Sequence, residues 1–424
     1  MLRLLERIGR GTATAVAALG ALLALGAAET GAQGKPPAPL HLEGSAAPMP
    51  WARYKGWNKA TWDTYNTLAQ RDLTKPAGKE IEIKGSIDGD AKKGKDLSFS
   101  RARGGGCLSC HVMGPETLEL PGNVGPDLSE IGKQGRTDQW LYNYVYDPRV
   151  YNAESSMPPW GAHGLYTEAE IRDIVAFLKS LATPATYKNA LDDPTKRPLP
   201  VEDRDGLDPF VNPAAERIDP GEKLFAAVGR AGKACATCHG DAKKTFAEWA
   251  NTMPRWEPRL KRMLGVEEFV YRHARATTGE SYLMQSAENT DLSVFLRFVV
   301  HGKATRVDTT SAEAKASLER ARVLSTVKVG QLNFACVDCH TPEKGALKWI
   351  RGQYLGEPKG QITHFPNWRT SRNEVWDIRK RLQWCNVQVR ANELPPDAPE
   401  YADLEFYLTV ASQGMPWEAP NIRH

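Results

Sequence analysis

Three C-x-x-C-H motifs limit what this chain of 424 residues can fold into more than any other feature. They are Cys107-Leu-Ser-Cys110-His111, Cys235-Ala-Thr-Cys238-His239 and Cys336-Val-Asp-Cys339-His340. At this spacing two thiols can form thioethers with haem vinyl groups while the adjacent histidine binds the iron. A zinc site would need further Cys or His ligands at matching spacing, and a thioredoxin-like pair would not place histidine after the second cysteine three times. The sequence therefore predicts three covalently attached c-type haems.

The N-terminus predicts export. Three arginines within the first ten residues precede an apolar run at 13–28, and residues 30–32 (Thr-Gly-Ala) offer a small-residue cleavage site. This pattern is typical of a signal peptide, and it is too short and too rich in small residues for a convincing membrane span. An uncleaved anchor is the alternative. No later apolar run is long enough to cross a bilayer, so we expect a periplasmic mature chain without a membrane span.

The charge balance argues against nucleic acid as a partner. The net charge is only +4, and the basic residues are spread along the chain rather than clustered. The propionates of three haems would offset this small excess of positive charge.

The length and the motif positions predict a mainly α-helical chain with three class I cytochrome c-like domains, one monohaem and two in tandem. The segment before the first domain is Pro-rich and carries Trp51, Trp57 and Trp62 without a clear period, and the segment after it is rich in Pro and Asp. The expected order is a signal peptide (1–32), an irregular extension (33–85), the monohaem domain (86–183), a linker (184–218), and two haem domains (219–310 and 311–424).

In the first domain a methionine follows the haem motif. Met157 is flanked by prolines and precedes an amphipathic helix predicted over 167–181; a further helix is predicted over 137–146. Small cytochromes present their second axial ligand at this place, and a thioether raises the reduction potential, as an electron-exit site requires. We expect Met157 to bind iron opposite His111, with ordinary packing as the alternative.

The remainder of the chain contains an internal duplication. Six residues recur at positions that differ by 112, namely Pro254, Trp256, Asp291, Leu292, Leu296 and Gly302, which become Pro366, Trp368, Asp403, Leu404, Leu408 and Gly414. The haem motifs themselves differ by 101, so the second unit has an insertion. Such self-similarity predicts two cytochrome-like units in tandem.

The same offset relates His273 to Cys385, the one cysteine outside the motifs. The simplest interpretation makes each the distal iron ligand of its own unit, as the pairs His239/His273 and His340/Cys385. His273 could instead be a surface residue. The ligand of the first unit would then be one of three methionines, Met253, Met263 or Met284.

Cys385 is expected on a helix that begins at Ser371, because Ser371 and Glu374 form a capping-box pattern. An apolar stripe at helical spacing supports this helix, formed by Val375, Ile378, Leu382, Cys385 and Val389.

Arg381 lies one turn before Cys385, where the first unit has Phe269. An arginine favours a thiolate and can hold an oxyanion in its planar fork. The alternative is that Arg381 pairs with Asp377 on a solvated helix face.

The C-terminal half resembles the SoxA subunit of the SoxAX cytochromes of sulfur-oxidising bacteria. The runs that carry this resemblance are Gly330–Cys336, Arg381–Cys385, Glu405–Leu408 and Gly414–Pro416. Residues 86–183 resemble SoxX, through the runs Gly106–His111, Met157–Gly161 and Leu165–Ile171. The two subunits would be fused here, X before A.

The resemblance implies an L-cysteine S-thiosulfotransferase. Such enzymes couple thiosulfate oxidatively to a cysteine of the carrier SoxYZ and pass two electrons to a soluble cytochrome c. By resemblance, Cys385 is the haem-ligating and persulfide-modified catalytic thiolate, Arg381 positions the anion, and the Met157 haem is the electron exit. The chain departs from the family at His273, since two-haem members have a cysteine as that distal ligand.

Two other functions suit the same residues. A thiosulfate dehydrogenase forming tetrathionate also fits a Cys-ligated haem and would need no carrier. A non-catalytic multihaem electron-transfer protein would use Cys385 only to tune a potential.

Overall fold

The computed structural model describes most of the chain, namely residues 37–44, 62–100, 106–115, 120–200 and 207–423. The predicted signal peptide and the tryptophans Trp51 and Trp57 lie outside the described residues. Contacts divide the chain into residues 1–38 and residues 39–424. Of residues 1–38 only residues 37 and 38 are described, and every element named below lies within residues 39–424.

Helices dominate the described part of the chain. Their bounds are α1 (Ala91–Phe99), α2 (Asp138–Tyr146), α3 (Glu168–Ser180), α4 (Ile218–Ala226), α5 (Cys235–His239), α6 (Ala242–Thr245), α7 (Val266–Thr277), α8 (Ala287–Phe298), α9 (Ala312–Thr326), α10 (Cys336–His340), α11 (Ile378–Gln388) and α12 (Pro399–Ala411). None of these described helices is long and apolar enough to cross a membrane.

The strands are short and form small sheets. Their bounds are β1 (Arg255–Glu257), β2 (Arg262–Leu264), β3 (Lys348–Ile350), β4 (Gln353–Leu355), β5 (Asn367–Arg369), β6 (Glu374–Trp376) and β7 (Asn421–Arg423). Strands β1 and β2 form an antiparallel hairpin, as do β3 and β4. In the third sheet β5 lies in the centre, antiparallel to β6 and parallel to β7.

Helices α1, α2 and α3 pack around the first motif. Both predicted helices are confirmed within one residue at each end. Helix α3 begins with a capping box in which Thr167 and Glu170 satisfy each other's backbone N–H groups, and it buries one face that includes Ile171 and Ile174. A Cβ on Gly94 would lie 2.0 Å from the Asp173 carbonyl oxygen, so α1 crosses α3 at a distance that only glycine allows.

The duplication is visible as elements repeated at the same offset of 112. The hairpin β1–β2 corresponds to β5–β6, and α7 corresponds to α11. Even the hairpin turns match, because Lys261 and Asn373 have φ values of 53° and 54°. An ion pair joins hairpin and helix in each unit, but with opposite polarity: Arg262 binds Glu268 in the first unit, and Glu374 binds Lys380 Nζ at 2.5 Å in the second.

The two repeated units share one core. Phe225 and Val266 of the first unit belong to the same buried cluster as Phe365 and Ile378 of the second.

A buried ionic network lies in this shared region. Arg379 Nη1 donates to Glu268 Oε2 at 2.9 Å and Arg379 Nε to Glu405 Oε2 at 2.7 Å, while Arg272 Nε donates to Glu268 Oε1 at 2.8 Å. All four side chains are at most 2 % exposed, so the network joins the units through fully desolvated charges that only mutual pairing makes tolerable.

The helix that carries Cys385 begins at Ile378, so its predicted start at Ser371 is wrong. Residues 374–376 form β6 instead, because their backbone pairs with β5. The helix is capped by Asp377, whose carboxylate accepts from Lys380 N at 2.7 Å. The Ser-x-x-Glu pattern is thus part of a hairpin.

The described parts of the segment 184–218, residues 184–200 and 207–218, have short 3₁₀ turns and irregular backbone up to the start of α4. Arg197 fixes part of this segment to two other parts of the chain, one near the first motif and one in the hairpin β3–β4. Its guanidinium donates to the carbonyl oxygens of Arg351 at 2.5 Å and Pro121 at 3.1 Å, and it lies 4.8 Å from the ring centre of Trp349.

Candidate active site and haem-attachment motifs

The first motif begins with a 3₁₀ turn over Cys107–Ser109. His111 Nδ1 donates to the Pro126 carbonyl oxygen at 2.7 Å, which leaves Nε2 to bind a metal. Burial lowers the pKa of His111, so the imidazole stays neutral, as a metal ligand must. A Cβ on Gly125 would lie 2.3 Å from Cε1 of this ring, so only glycine permits the close approach.

Met157 and His111 line the same cavity, which has a volume of about 2060 Å³. The Met157 side chain is half-buried and packs against the hydrophobic core formed around α2 and α3. Met113 is fully buried in that core.

The third motif opens into this same cavity. Cys336, Cys339 and His340 line it together with Cys385 and Arg381. His340 Nδ1 donates to the Gly356 carbonyl oxygen at 2.8 Å, the same arrangement as in the first motif. Two of the three motifs, 229 residues apart in sequence, therefore share one enclosure.

Cys385 is half-buried in the middle of α11. Burial and the neighbouring Cys385 sulfur raise the pKa values of Cys336 and Cys339 to about 12. The three sulfur atoms are therefore close enough to interact electrostatically. The first and third motifs lie side by side, since Cys110 and Cys339 line the same cavity and Arg351 Nε donates to Ser109 Oγ at 2.9 Å.

Arg381 also lies next to the third motif. Burial and, to a smaller extent, the Arg381 charge lower the pKa of His340. The Arg381 Nη1 atom is buried and has no hydrogen-bond partner among the described residues. The Asp377 side chain caps α11 through Lys380 N, and no Arg381–Asp377 ion pair is found in the part of the chain that the structure describes. This leaves Arg381 Nη1 able to donate to an anion in the cavity.

Five further arginines line the cavity and were not identified from the sequence: Arg136, Arg351, Arg369, Arg372 and Arg423. The guanidinium of Arg372 lies 3.8 Å from the ring centre of Trp384, beside Cys385. Arg423 comes from β7, which pairs with β5 and so lies next to Arg369. These cations raise the local potential and favour an anionic substrate.

In the second motif His239 and His273 lie opposite each other. Their ring centres are 5.8 Å apart with an angle of 54° between the planes. His273 Nδ1 donates to the Pro39 carbonyl oxygen at 2.8 Å, and burial lowers its pKa, so the imidazole is neutral with Nε2 available. Because each imidazole can offer a neutral nitrogen, the two rings would fit as a pair of ligands for one haem iron.

The three alternative methionines occupy other environments. Met253 is buried in the core shared by the two units, and Met263 lies on β2 against Phe406. Met284 is 1 % exposed. Phe269, the counterpart of Arg381, stacks on His273 at 5.0 Å, so the second site has an apolar wall where the third has a cation.

The residues of all three sites fit covalently bound haem. Each has two cysteines at the attachment spacing and an adjacent imidazole, and the first and third sites open on a cavity large enough for such a group. The sulfur of Met157, the imidazole of His273 and the sulfur of Cys385 are all donor types that haem iron accepts.

A family model described as SoxA/TsdA, cytochrome c domain, matches residues 220–304 and 321–417. The matched residues contain the second and third motifs, His273, Arg381 and Cys385.

Curated relatives align with the same half of the chain. The L-cysteine S-thiosulfotransferase subunit SoxA of Pseudaminobacter salicylatoxidans is 28% identical over 218 residues, which cover 51% of this chain and 75% of the relative. The protein of that name from Allochromatium vinosum is 28% identical over 229 residues, covering 53% and 79%.

Solved structures show a weaker likeness. The crystal structure of SoxXA from P. pantotrophus aligns with a TM-score of 0.47 and 25% identity, over 51% of this chain and 80% of that one. The thiosulfate dehydrogenase TsdBA from Marichromatium purpuratum aligns with a TM-score of 0.20 and 15% identity, over 78% and 69%.

Proposed function

Because the C-terminal half of this chain carries the SoxA/TsdA cytochrome c domain and is related to SoxA subunits, we propose that the protein is an L-cysteine S-thiosulfotransferase of the SoxAX type. It couples thiosulfate oxidatively to a cysteine of a SoxYZ-type carrier and passes electrons to a soluble cytochrome c. One observation carries the proposal: within the matched region, Cys385 and Arg381, whose Nη1 atom is buried, line one cavity with the third motif.

We assign ligand roles to the residues of the three sites. The cysteine pairs Cys107/Cys110, Cys235/Cys238 and Cys336/Cys339 attach three c-type haems. The proximal histidines are His111, His239 and His340, and the distal ligands are Met157, His273 and Cys385. The shared tautomer of His111 and His340, with Nδ1–H bound to a backbone carbonyl, supports the first part of this assignment.

The catalytic work of the chain falls to Arg381 and Cys385. Arg381 presents a desolvated N–H group toward the cavity and binds the thiosulfate oxygens through charge-assisted hydrogen bonds. The reaction joins one sulfur of thiosulfate to the carrier thiolate and releases two electrons. A haem held by Cys336, Cys339 and His340 would accept these electrons one at a time and pass them on toward the first site.

The shared cavity supports direct passage of electrons from the third site to the first. Arg351 Nε, in the segment between the hairpin strands β3 and β4, donates to Ser109 Oγ of the first motif at 2.9 Å, which ties the two sites together. A thioether from Met157 would give a haem in the first site the higher potential, which would make that site the exit to the soluble cytochrome.

The domain order supports a fusion of a SoxX-like part with a SoxA-like part, with three cytochrome c-like domains in one chain. Residues 1–32 are assigned as a signal peptide that directs the protein to the periplasm. Covalent haem attachment and thiosulfate chemistry on a carrier suit that compartment.

The decisive experiment is Cys385→Ala in the holoprotein. Thiosulfate-dependent reduction of cytochrome c in the presence of carrier should be lost, while the mass of the chain still reports three attached haems. Retained activity would refute the catalytic assignment of Cys385.

The tetrathionate-forming alternative has one observation in its favour, since the matching family description names TsdA beside SoxA. Omission of the carrier separates the two activities, because only a dehydrogenase turns over on thiosulfate alone. A purely electron-transferring protein would show no low-spin thiolate-ligated haem by electron paramagnetic resonance.

A further inference from the structure

A buried carboxylate lies inside the third motif. Asp338 stands between Cys336 and Cys339 and is 1 % exposed. Its two oxygens accept four hydrogen bonds, from Ala335 N at 2.7 Å, Lys328 Nζ at 2.6 Å, Lys344 Nζ at 2.7 Å and Ser156 Oγ at 2.7 Å.

The capping of α10 does not require this carboxylate. In the second motif the equivalent residue is Thr237, whose hydroxyl accepts from Ala234 N at 3.1 Å and so makes the same N-terminal bond. Thr237 is exposed, whereas Asp338 is buried among two cations and a serine. Burying a charge is costly, so the additional partners of Asp338 need a separate explanation.

Two of those partners, Ser156 and Lys328, connect Asp338 to the loop of Met157. Ser156, which donates to Asp338, directly precedes Met157 and lies 182 residues earlier in the chain. Lys328 Nζ also donates to the Ser155 carbonyl oxygen at 3.0 Å, and Ser155 Oγ accepts from Met157 N at 3.1 Å. Both residues before Met157 are thus held from the side of the third motif.

The contact pairs the Asp338 carboxylate with two ammonium groups, Lys328 Nζ at 2.6 Å and Lys344 Nζ at 2.7 Å. Charge-assisted bonds in a desolvated site are strong and directional, so they restrict the loop more than surface contacts do.

We propose that Asp338 and Lys328 are positioning residues for Met157, and that the third haem-attachment motif thereby holds the iron ligand of the first. The inference rests on the proposed ligation by Met157. The first and third sites would then be coupled through these side-chain contacts as well as by proximity. Loss of the contacts between the motif and the loop would weaken the bond between Met157 and the iron.

The test uses the holoprotein and two spectroscopic readouts, the charge-transfer band of ferric Met-ligated haem and the reduction potential of the first haem. Asp338→Thr copies the second motif and so keeps the cap of α10 while removing the contact with the loop. We expect the band to weaken and the potential to fall, because loss of a thioether ligand lowers the potential. Ser156→Ala should shift both in the same direction by a smaller amount.

Lys344→Gln is the matched control, because Lys344 contacts Asp338 but, among the described residues, forms no hydrogen bond with the loop; it should leave both readouts unchanged. An unchanged band and potential in Asp338→Thr, with three haems attached, would overturn the proposal. If Asp338→Thr fails to incorporate haem, Ser156→Ala decides by the same criteria. Met157→Ala tests the premise separately: if the band survives that change, the ligation itself is wrong.

Discussion

Arg381 is the residue on which substrate binding is expected to depend most. Its buried Nη1 would form a charge-assisted hydrogen bond with the thiosulfate anion, an interaction of about 1.5–3 kcal/mol. Arg381→Gln should therefore lower kcat/KM for thiosulfate by roughly 10- to 100-fold. Arg381→Lys should fall between, because it keeps the charge and loses the planar fork. Steady-state kinetics with saturating carrier would measure both.

The control for this prediction is Arg322→Gln. Arg322 is an exposed arginine whose partner is Glu319, 3.4 Å away on the surface of α9. Its replacement should leave kcat/KM unchanged. Wild-type kcat/KM in Arg381→Gln would show that the guanidinium does not hold the anion.

Cys385 and Arg381 can be identified from the sequence, because the repeat offset of 112 residues and the spacing of one helical turn can both be read along the chain. Arg369 and Arg423, which reach the cavity from β5 and β7, cannot be identified in this way. These strands are separated by about fifty residues and pair in parallel, and no periodicity within either of them indicates that partner.

At the scale of elements, the start of α11 provides a direct test of what stabilises the helix. The Asp377 carboxylate caps it, whereas Ser371 is exposed in the preceding hairpin turn. Asp377→Ala should lower the free energy of unfolding by about 1 kcal/mol, the usual cost of removing a cap. Ser371→Ala should change it little. Denaturant titrations of both variants would measure the difference; equal losses would contradict the assigned cap.

Helices α2 and α3 were predicted to within a residue because their caps and apolar faces are encoded locally. The start of α11 was mispredicted because Ser371 and Glu374 satisfy the same local rule. What decided the outcome was the pairing of β6 with β5, a contact that a capping pattern does not encode. Glu374 is then available to bind Lys380.

At the scale of the whole molecule, the buried His163 joins the part of the chain around the first motif to the part around the third motif. His163 Nδ1 donates to the Gln331 carbonyl oxygen at 2.7 Å, and Gln331 Nε2 donates to the His163 carbonyl oxygen at 2.8 Å. His163 Nε2 is buried without a hydrogen-bond partner among the described residues. Burial lowers the pKa of His163 from 6.5 to about 4.

This shift predicts a loss of stability on acidification. Between pH 6.5 and 4 the unfolded chain binds a proton at His163 that the folded chain does not, so the free energy of unfolding falls as the pH falls, by up to about 3 kcal/mol. Denaturant midpoints at pH 7 and pH 4.5 would measure it. His163→Asn keeps an N–H donor without titrating, so its midpoint should depend less on pH. An identical pH dependence in both proteins would exclude His163 as the cause.

The order of the three haem-attachment motifs along the chain is given directly by the sequence. Which regions contact each other could not be predicted, because the contact between the first and third motifs depends on side chains such as Arg351 and Asp338 whose partners are distant in sequence. Arg197 lies in a segment interpreted as a linker, and the sequence around it likewise does not indicate that it binds the backbone of both Arg351 and Pro121.

The reversed ion pairs of the two repeats have a consequence for how the chain avoids misassembly. If the hairpin of one repeat docked on the helix of the other, Arg262 would face Lys380 and Glu374 would face Glu268. Both exchanged arrangements place like charges together, and only the correct pairing neutralises them. The two repeats share a fold but differ in the polarity of this ion pair. Charge complementarity therefore favours the docking of each hairpin on the helix of its own repeat.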